Sequence, residues 1–134
     1  AITKKNPFKY NASYNLKTRI LLSKKLIKNI KFIKINFYET KIKSTRTYNL
    51  LKYLKRKYPK LDMYFIMGAD NLINFHKWYK WEGISEICNI IVFDRTGYKS
   101  KSLKSISFSK LNKKVLDYVK FKKVNISSSK LRKI

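Results

Sequence analysis

An α/β fold built on a parallel sheet is what this sequence predicts, and three observations carry the prediction. Helical and extended patterns alternate along most of the chain. The two most apolar runs, Met63-Tyr64-Phe65-Ile66-Met67 and Ile90-Ile91-Val92-Phe93, are continuous rather than alternating, as strands covered on both faces read. The polar residues capable of chemistry fall just after the extended runs, where open parallel sheets bind their ligands.

The elements follow in order. After a polar, Pro-containing stretch at residues 3–10, a helix is expected over residues 13–29. Ser13 is its expected N-cap, and Leu16, Ile20, Leu22, Leu26 and Ile30 recur at helical spacing. Phe32-Ile33-Lys34-Ile35-Asn36-Phe37 is rich in β-branched and aromatic residues and reads as a strand. A basic loop at residues 41–46 leads to a helix from Thr47, with Leu50, Leu51, Leu54 and Tyr58 on one face and Pro59 stopping it. The run at residues 63–67 is a strand ending at Gly68, followed by a short helix over residues 71–75, then Trp78 and Trp81, then a helix to Ile87. The run at residues 90–93 is a second buried strand, closed by Asp94-Arg95-Thr96-Gly97-Tyr98. Residues 99–112, rich in Ser and Lys, read as a loop containing one short helix. Residues 119–124 alternate as a strand does, and Ser127-Ser128-Ser129 opens a terminal helix. No internal repeat or domain boundary is visible, and a single domain over residues 1–134 is expected.

The formal net charge of +26 invites a nucleic-acid reading. Lysines, however, occur in nearly every segment, and arginine, the better reader of phosphates and grooves, appears only at Arg19, Arg46, Arg56, Arg95 and Arg132. Dedicated nucleic-acid binding is therefore disfavoured, although a basic RNA-binding or ribosome-associated protein stands as the alternative from another class. One cysteine, Cys88, excludes an internal disulfide framework and suits a reducing cytoplasm. No apolar stretch approaches the roughly 18 residues of a membrane span. Ala1 opens the sequence without a Met, so it reads as an interior point of a longer protein or a processed end.

Four constellations could carry chemistry. Gly68-Ala69-Asp70 puts a glycine and a carboxylate directly after a strand. The glycine lets a ligand approach the backbone and the carboxylate can accept from a ribose diol; the structural alternative is a turn with Asp70 as N-cap. Ser127, Ser128 and Ser129, with Lys130 and Arg132 nearby, form a phosphate cradle at a helix start, or a plain serine cap. Trp78 could stack on a planar heterocycle, whereas Trp81 reads as packing. His76, the only histidine, sits beside lysines and reads as a surface residue; Cys88 reads as a small buried one. No nucleophilic triad or zinc-ligand pattern can be assembled.

Taken in order, Asn6-Pro7-Phe8-Lys9, Glu39, Thr45-Arg46-Thr47, Phe65-Ile66-Met67-Gly68-Ala69-Asp70-Asn71-Leu72, Trp78-Tyr79-Lys80-Trp81, Val92-Phe93-Asp94-Arg95-Thr96-Gly97-Tyr98 and Ile126-Ser127-Ser128-Ser129-Lys130-Leu131-Arg132 resemble the nicotinate-nucleotide adenylyltransferases. The resemblance implies a Rossmann-like nucleotidyltransferase fold and adenylyl transfer from ATP to nicotinate mononucleotide, with Mg²⁺ accompanying ATP. It also implies a cytoplasmic enzyme and leaves room for a homo-oligomer. By motif, Gly68 and Asp70 would hold the adenosine ribose, and Trp78 would stack on the nicotinate ring. Thr47 and the backbone of Tyr79 would address its carboxylate. Lys9, Arg95, Ser127, Ser128, Ser129 and Arg132 would line the phosphate path. A preference for nicotinamide mononucleotide is the near alternative.

Two departures stand out. The family's Ser-Tyr-Thr before its second helix is here Thr45-Arg46-Thr47. The family's first strand and its glycine-rich HxGH-type loop have no counterpart in these residues. The expectation is thus an N-terminally truncated domain, inactive by itself, from an active parent protein, with no catalytic residue assignable in the 134 positions.

Overall fold

In the computed structural model, residues 1–4 and 14–120 are described. They divide into two compact units, Ala1–Leu54 and Lys55–Ile134.

The N-terminal unit holds helix α1 (Leu16–Leu26), the single turn α2 (Glu39–Ile42) and most of α3 (Thr47–Lys57). The cap of α1 is Asn15, whose side chain accepts from Thr18 N at 2.8 Å; Ser13 lies outside the described residues. Asn15 rather than Ser13 opens the helix because its side chain reaches back over the first turn. The expected apolar face of α1 is not a core face, since Leu22 and Leu26 are exposed and no residue of the helix is buried. Residues 32–37 do not form the expected strand. Among the described residues, the one bond from this segment to a distant stretch of backbone is Ile2 N donating to Asn36 O at 2.8 Å, and Phe32 is 88% exposed. Extended propensity without a neighbouring strand does not make a sheet. α3 begins at Thr47 as expected and buries Leu51.

In the C-terminal unit, β1 (Tyr64–Gly68), β2 (Asn89–Phe93) and β3 (Leu116–Val119) form a parallel sheet in the order β1-β2-β3. The crossovers are α4 (Ala69–Asn74), a 3₁₀ turn (Phe75–Lys77) and α5 (Trp81–Ile87), then α6 (Lys99–Leu103) and α7 (Ile106–Lys110). The register puts Phe65 beside Ile90 and Ile90 beside Leu116, and likewise Met67, Val92 and Tyr118, all on one face. That face packs on Leu72, Phe75 and Ile84 of the crossovers; these three, with Ile90 and Val92, are fully buried. Each such side chain stabilises the fold by about 1.5–3 kcal/mol relative to exposure.

The other face differs from expectation. Tyr64 and Ile66 are 55% and 60% exposed, because the crossovers of this unit pack on the opposite face. A continuous apolar run thus did not mean two covered faces. Residues 99–112 also differ, carrying two helices rather than one. Ser102 and Ser107 are fully buried there. Ser102 Oγ donates to Lys99 O at 2.8 Å, Ser107 Oγ accepts from His76 N at 2.8 Å, and Ser105 caps α7 by accepting from Phe108 N. Serines with such partners are tolerated inside a core. β3 runs from Leu116 to Val119, earlier than the expected strand at 119–124, and residues 121–124 lie outside the described residues. No helix among the described residues is long and apolar enough to cross a membrane.

Cys88 ends α5 beneath the sheet, 6% exposed, with Sγ 3.4 Å from Ile84 O. Burial pushes its thiol from 9.0 up to about 11, against a smaller lowering by a backbone hydrogen bond at Phe65. Between about pH 9 and 11 the unfolded thiol is ionised while the folded one keeps its proton. Unfolding then releases a proton, and stability falls as pH rises through that window. Urea melts of the wild type and Cys88→Ala should show a difference that is constant below pH 9 and shrinks toward pH 11. A difference flat across that range would contradict the buried thiol.

Candidate functional site

The parallel register brings the three strand ends level. Gly68 pairs with Phe93 and Phe93 with Val119, so the segments leaving the strands share one rim. The first segment turns directly into α4, with extended Gly68 as its N-cap and no side-chain cap bond. Asp70 is therefore not the cap of the structural alternative; it sits in the first turn, where a carboxylate is favoured by the helix dipole. Gly68 has a local reason to be glycine: a Cβ there would stand 2.5 Å from Asp70 Oδ1. The missing side chain leaves room for the carboxylate to fold back over the strand end.

From the next strand end, Arg95 reaches Asp70. Its Nη1 donates to Asp70 Oδ2 at 2.5 Å, with side chains 43% and 27% exposed for Arg95 and Asp70. The guanidinium also lies over the Tyr98 ring, 5.6 Å from its centroid. Below it, Asp94 is 5% exposed and its Oδ1 accepts from Arg95 N at 2.8 Å. The turn closes through Gly97 at φ 82°, a conformation that strains a residue bearing Cβ.

The structure thus brings together Gly68, Asp70 and Arg95. Trp78 is half-buried and packs edge-on against Phe65 and Phe75, centroids 6.0 and 5.2 Å away. Trp81 packs on Phe75 at 5.8 Å, as its spacing implied. Tyr79 is exposed, with Lys80 Nζ 5.6 Å from its ring centroid. His76 is no surface residue: it is half-buried and tied by its backbone to Ser107. Thr47 opens α3 in the N-terminal unit. In that unit an open hollow of about 480 Å³ brings Lys4, Lys43 and Arg46 to one surface with Ser44 and Thr45. Lys9, Ser127, Ser128, Ser129 and Arg132 lie outside the described residues.

Sequence reasoning passed over Asp94 and Tyr118 as separate contributors. Their signal was faint: an acid directly before the arginine, and a tyrosine one residue ahead of the strand expected at 119–124, which the structure places inside β3. Among the described residues no group of three or more His, Cys, Asp or Glu side chains could hold a metal ion.

The level strand ends and the acid–arginine pair stand on one rim of a parallel α/β sheet, and comparison with known proteins gives the chain a family. The family model described as cytidylyltransferase-like matches residues 1–134, which defines the class. A probable nicotinate-nucleotide adenylyltransferase of Pelagibacter ubique (strain HTCC1062) is 58% identical over 134 residues, covering 100% of this chain and 74% of that protein. One from Aliarcobacter butzleri (strain RM4018) is 37% identical over 100 residues, covering 74% of this chain and 55% of that protein. The chain belongs to the nicotinate-nucleotide adenylyltransferase family. A solved structure titled Plasmodium falciparum nicotinic acid mononucleotide adenylyltransferase complexed with NaAD superposes with a TM-score of 0.68 at 24% identity, over 98% of this chain and 65% of that one. The same enzyme complexed with APC gives 0.66 at 25% identity, over 89% and 61%. The chain therefore spans about three quarters of one curated relative, about half of the other, and under two thirds of the solved structures.

Proposed function

We propose that the protein carrying these residues transfers the adenylyl group of ATP to nicotinate mononucleotide, releasing pyrophosphate and forming nicotinate adenine dinucleotide, in the cytoplasm. Residues 1–134 belong in this reading to one adenylyltransferase domain, which the extent of the family match supports. The observation that carries it is the convergence of Gly68, Asp70 and Arg95 on one strand-end rim. There Asp70 offers acceptors to the adenosine ribose, and Arg95 offers a planar pair of donors to phosphate. The two are paired with each other in the free protein. A partly exposed pair of this kind contributes about 0–1 kcal/mol, so substrate can displace it cheaply.

The transfer needs no covalent enzyme intermediate. The mononucleotide phosphate attacks the α-phosphorus in line, and the protein orients the two substrates and neutralises charge as pyrophosphate leaves. Mg²⁺ would accompany ATP and would supply charge neutralisation at its phosphates. Trp78 is assigned to the pyridine ring and Thr47 with the Tyr79 backbone to its carboxylate. Lys9, Ser127, Ser128, Ser129 and Arg132 join Arg95 along the phosphates. These assignments rest on their motifs. The RNA-binding alternative draws on net charge and on tyrosines that could stack on bases, and exposed lysines occur in both units rather than on one of them.

The test is pyrophosphate release by the full-length protein with MgATP and either nicotinate or nicotinamide mononucleotide. Saturable turnover with a higher kcat/KM for the acid form is expected. Turnover favouring the amide would move the assignment to its near alternative, and salt-sensitive RNA binding without turnover would end it.

Gly68→Ala isolates the rim. The added Cβ meets a rotatable carboxylate rather than backbone, so the strain is relieved by turning Asp70 away from Arg95. Stability should fall by less than about 1 kcal/mol, since an exposed pair is all that is lost. Turnover should drop about tenfold through the misplaced carboxylate. Unchanged kcat/KM with an intact fold would remove Asp70 from the site.

A further inference from the structure

The turn that presents Arg95 is exposed from Arg95 to Tyr98, yet its first residue is fixed from beneath. Asp94 Oδ1 accepts from Arg95 N at 2.8 Å and also from the Tyr118 hydroxyl at 3.1 Å. The Tyr118 oxygen is in turn 3.0 Å from Ser102 Oγ. Each hydroxyl has one hydrogen to give. The carboxylate draws the phenol's, because a charged acceptor makes the stronger bond. The single Ser102 hydrogen then has two acceptors in reach, Lys99 O at 2.8 Å and the phenol oxygen at 3.0 Å. Asp94 Oδ1 thus receives the Tyr118 hydroxyl and the Arg95 amide together, with Ser102 Oγ packed against the phenol oxygen. The Tyr118 ring stands edge-on to Phe108, 6.4 Å between centroids, so packing fixes the ring independently of its hydroxyl.

We infer that Tyr118 is a positioning residue for adenylyl transfer: through Asp94 it holds the backbone of Arg95 and so sets where the guanidinium stands. This rests on the reading of Arg95 as a phosphate contact. The link ties together the ends of β2 and β3 and helix α6, the elements between which the arginine turn would otherwise rock. A displacement of about 1 Å at a reacting group can cost about 10²-fold in rate, so a hydroxyl remote from substrate can govern turnover.

The experiment is a double-mutant cycle in the full-length protein, read by pyrophosphate release with MgATP and nicotinate mononucleotide. Tyr118→Phe keeps the ring and removes only the hydroxyl; kcat/KM should fall about tenfold with the substrates still saturating. Placed on Arg95→Ala, the same change should cost less than about twofold, because its route to the substrate is already gone. A tenfold loss repeated in the Arg95→Ala background, or no loss in the single variant, would overturn the inference. If Arg95→Ala is itself silent, the reading of the rim fails together with this one. A large Arg95→Ala effect beside a silent Tyr118→Phe sinks the positioning role alone. Should Tyr118→Phe not fold, Ser102→Ala carries the same cycle with a smaller loss, about two- to threefold, from the second hydroxyl of the chain.

Discussion

Arg95→Ala in the full-length protein is expected to lower kcat/KM for pyrophosphate release by about 10²- to 10³-fold while leaving the thermal midpoint almost unchanged. The size follows from what one well-placed donor contributes when negative charge is redistributed in a transition state. The stability side follows from exposure. The Asp70–Arg95 pair is 2.5 Å long but its guanidinium is 43% open to water. Screening and side-chain entropy leave such a pair little net contribution. Arg95→Lys should recover only part of the loss, since an ammonium cannot present the planar fork that grips two phosphate oxygens. Steady-state kinetics on the three proteins, with matched thermal melts, decide the matter. A loss below about threefold with intact folding would take Arg95 out of the phosphate path.

How much of this was legible in the sequence depends on where each signal lived. The sheet and its rim were legible because two apolar runs, each followed by a polar turn, leave few other architectures. The register that levels Gly68, Phe93 and Val119 was not legible, since the two apolar runs carry no alternation and the third strand was expected to begin at Val119, where it ends. The covering of β1 was not legible. An apolar residue such as Ile66 at 60% exposure looks the same in sequence as Val92 at none. Nor was the helical character of residues 99–110, because serines count as loop formers by composition. Ser102 and Ser107 became core residues only once partners from Lys99, Tyr118 and His76 were in reach. Residues 32–37 failed in the opposite direction, with strand-like composition and no strand beside them among the described residues. The Asp70–Arg95 pair joins positions 25 apart in sequence, and only the parallel crossover brings them together.

The second large effect concerns the support beneath the tryptophans. Phe75 is fully buried in the 3₁₀ turn after α4, and the rings of Trp78 and Trp81 both rest on it at 5.2 and 5.8 Å. Phe75→Ala removes that ring where neighbouring helices and the sheet cannot collapse to fill the space. A loss of about 3–5 kcal/mol is expected, the usual cost of such a truncation. In a domain of this size it lowers the thermal midpoint by roughly 10–20 °C. Phe75→Leu, which keeps most of the volume, should cost about 1.5 kcal/mol or less. Because the chain's two tryptophans both contact this side chain, their emission should shift to longer wavelength in Phe75→Ala while the protein is still folded. Urea melts followed by fluorescence and by circular dichroism separate that local change from global unfolding, since an unchanged denaturant slope marks a change in stability alone. A cost under about 1 kcal/mol with unshifted emission would mean that Phe75 is not the platform on which Trp78 stands. A pyridine-stacking role for Trp78 would then need another anchor, because a half-buried indole presents one face to a ligand only while its edge is held by the core.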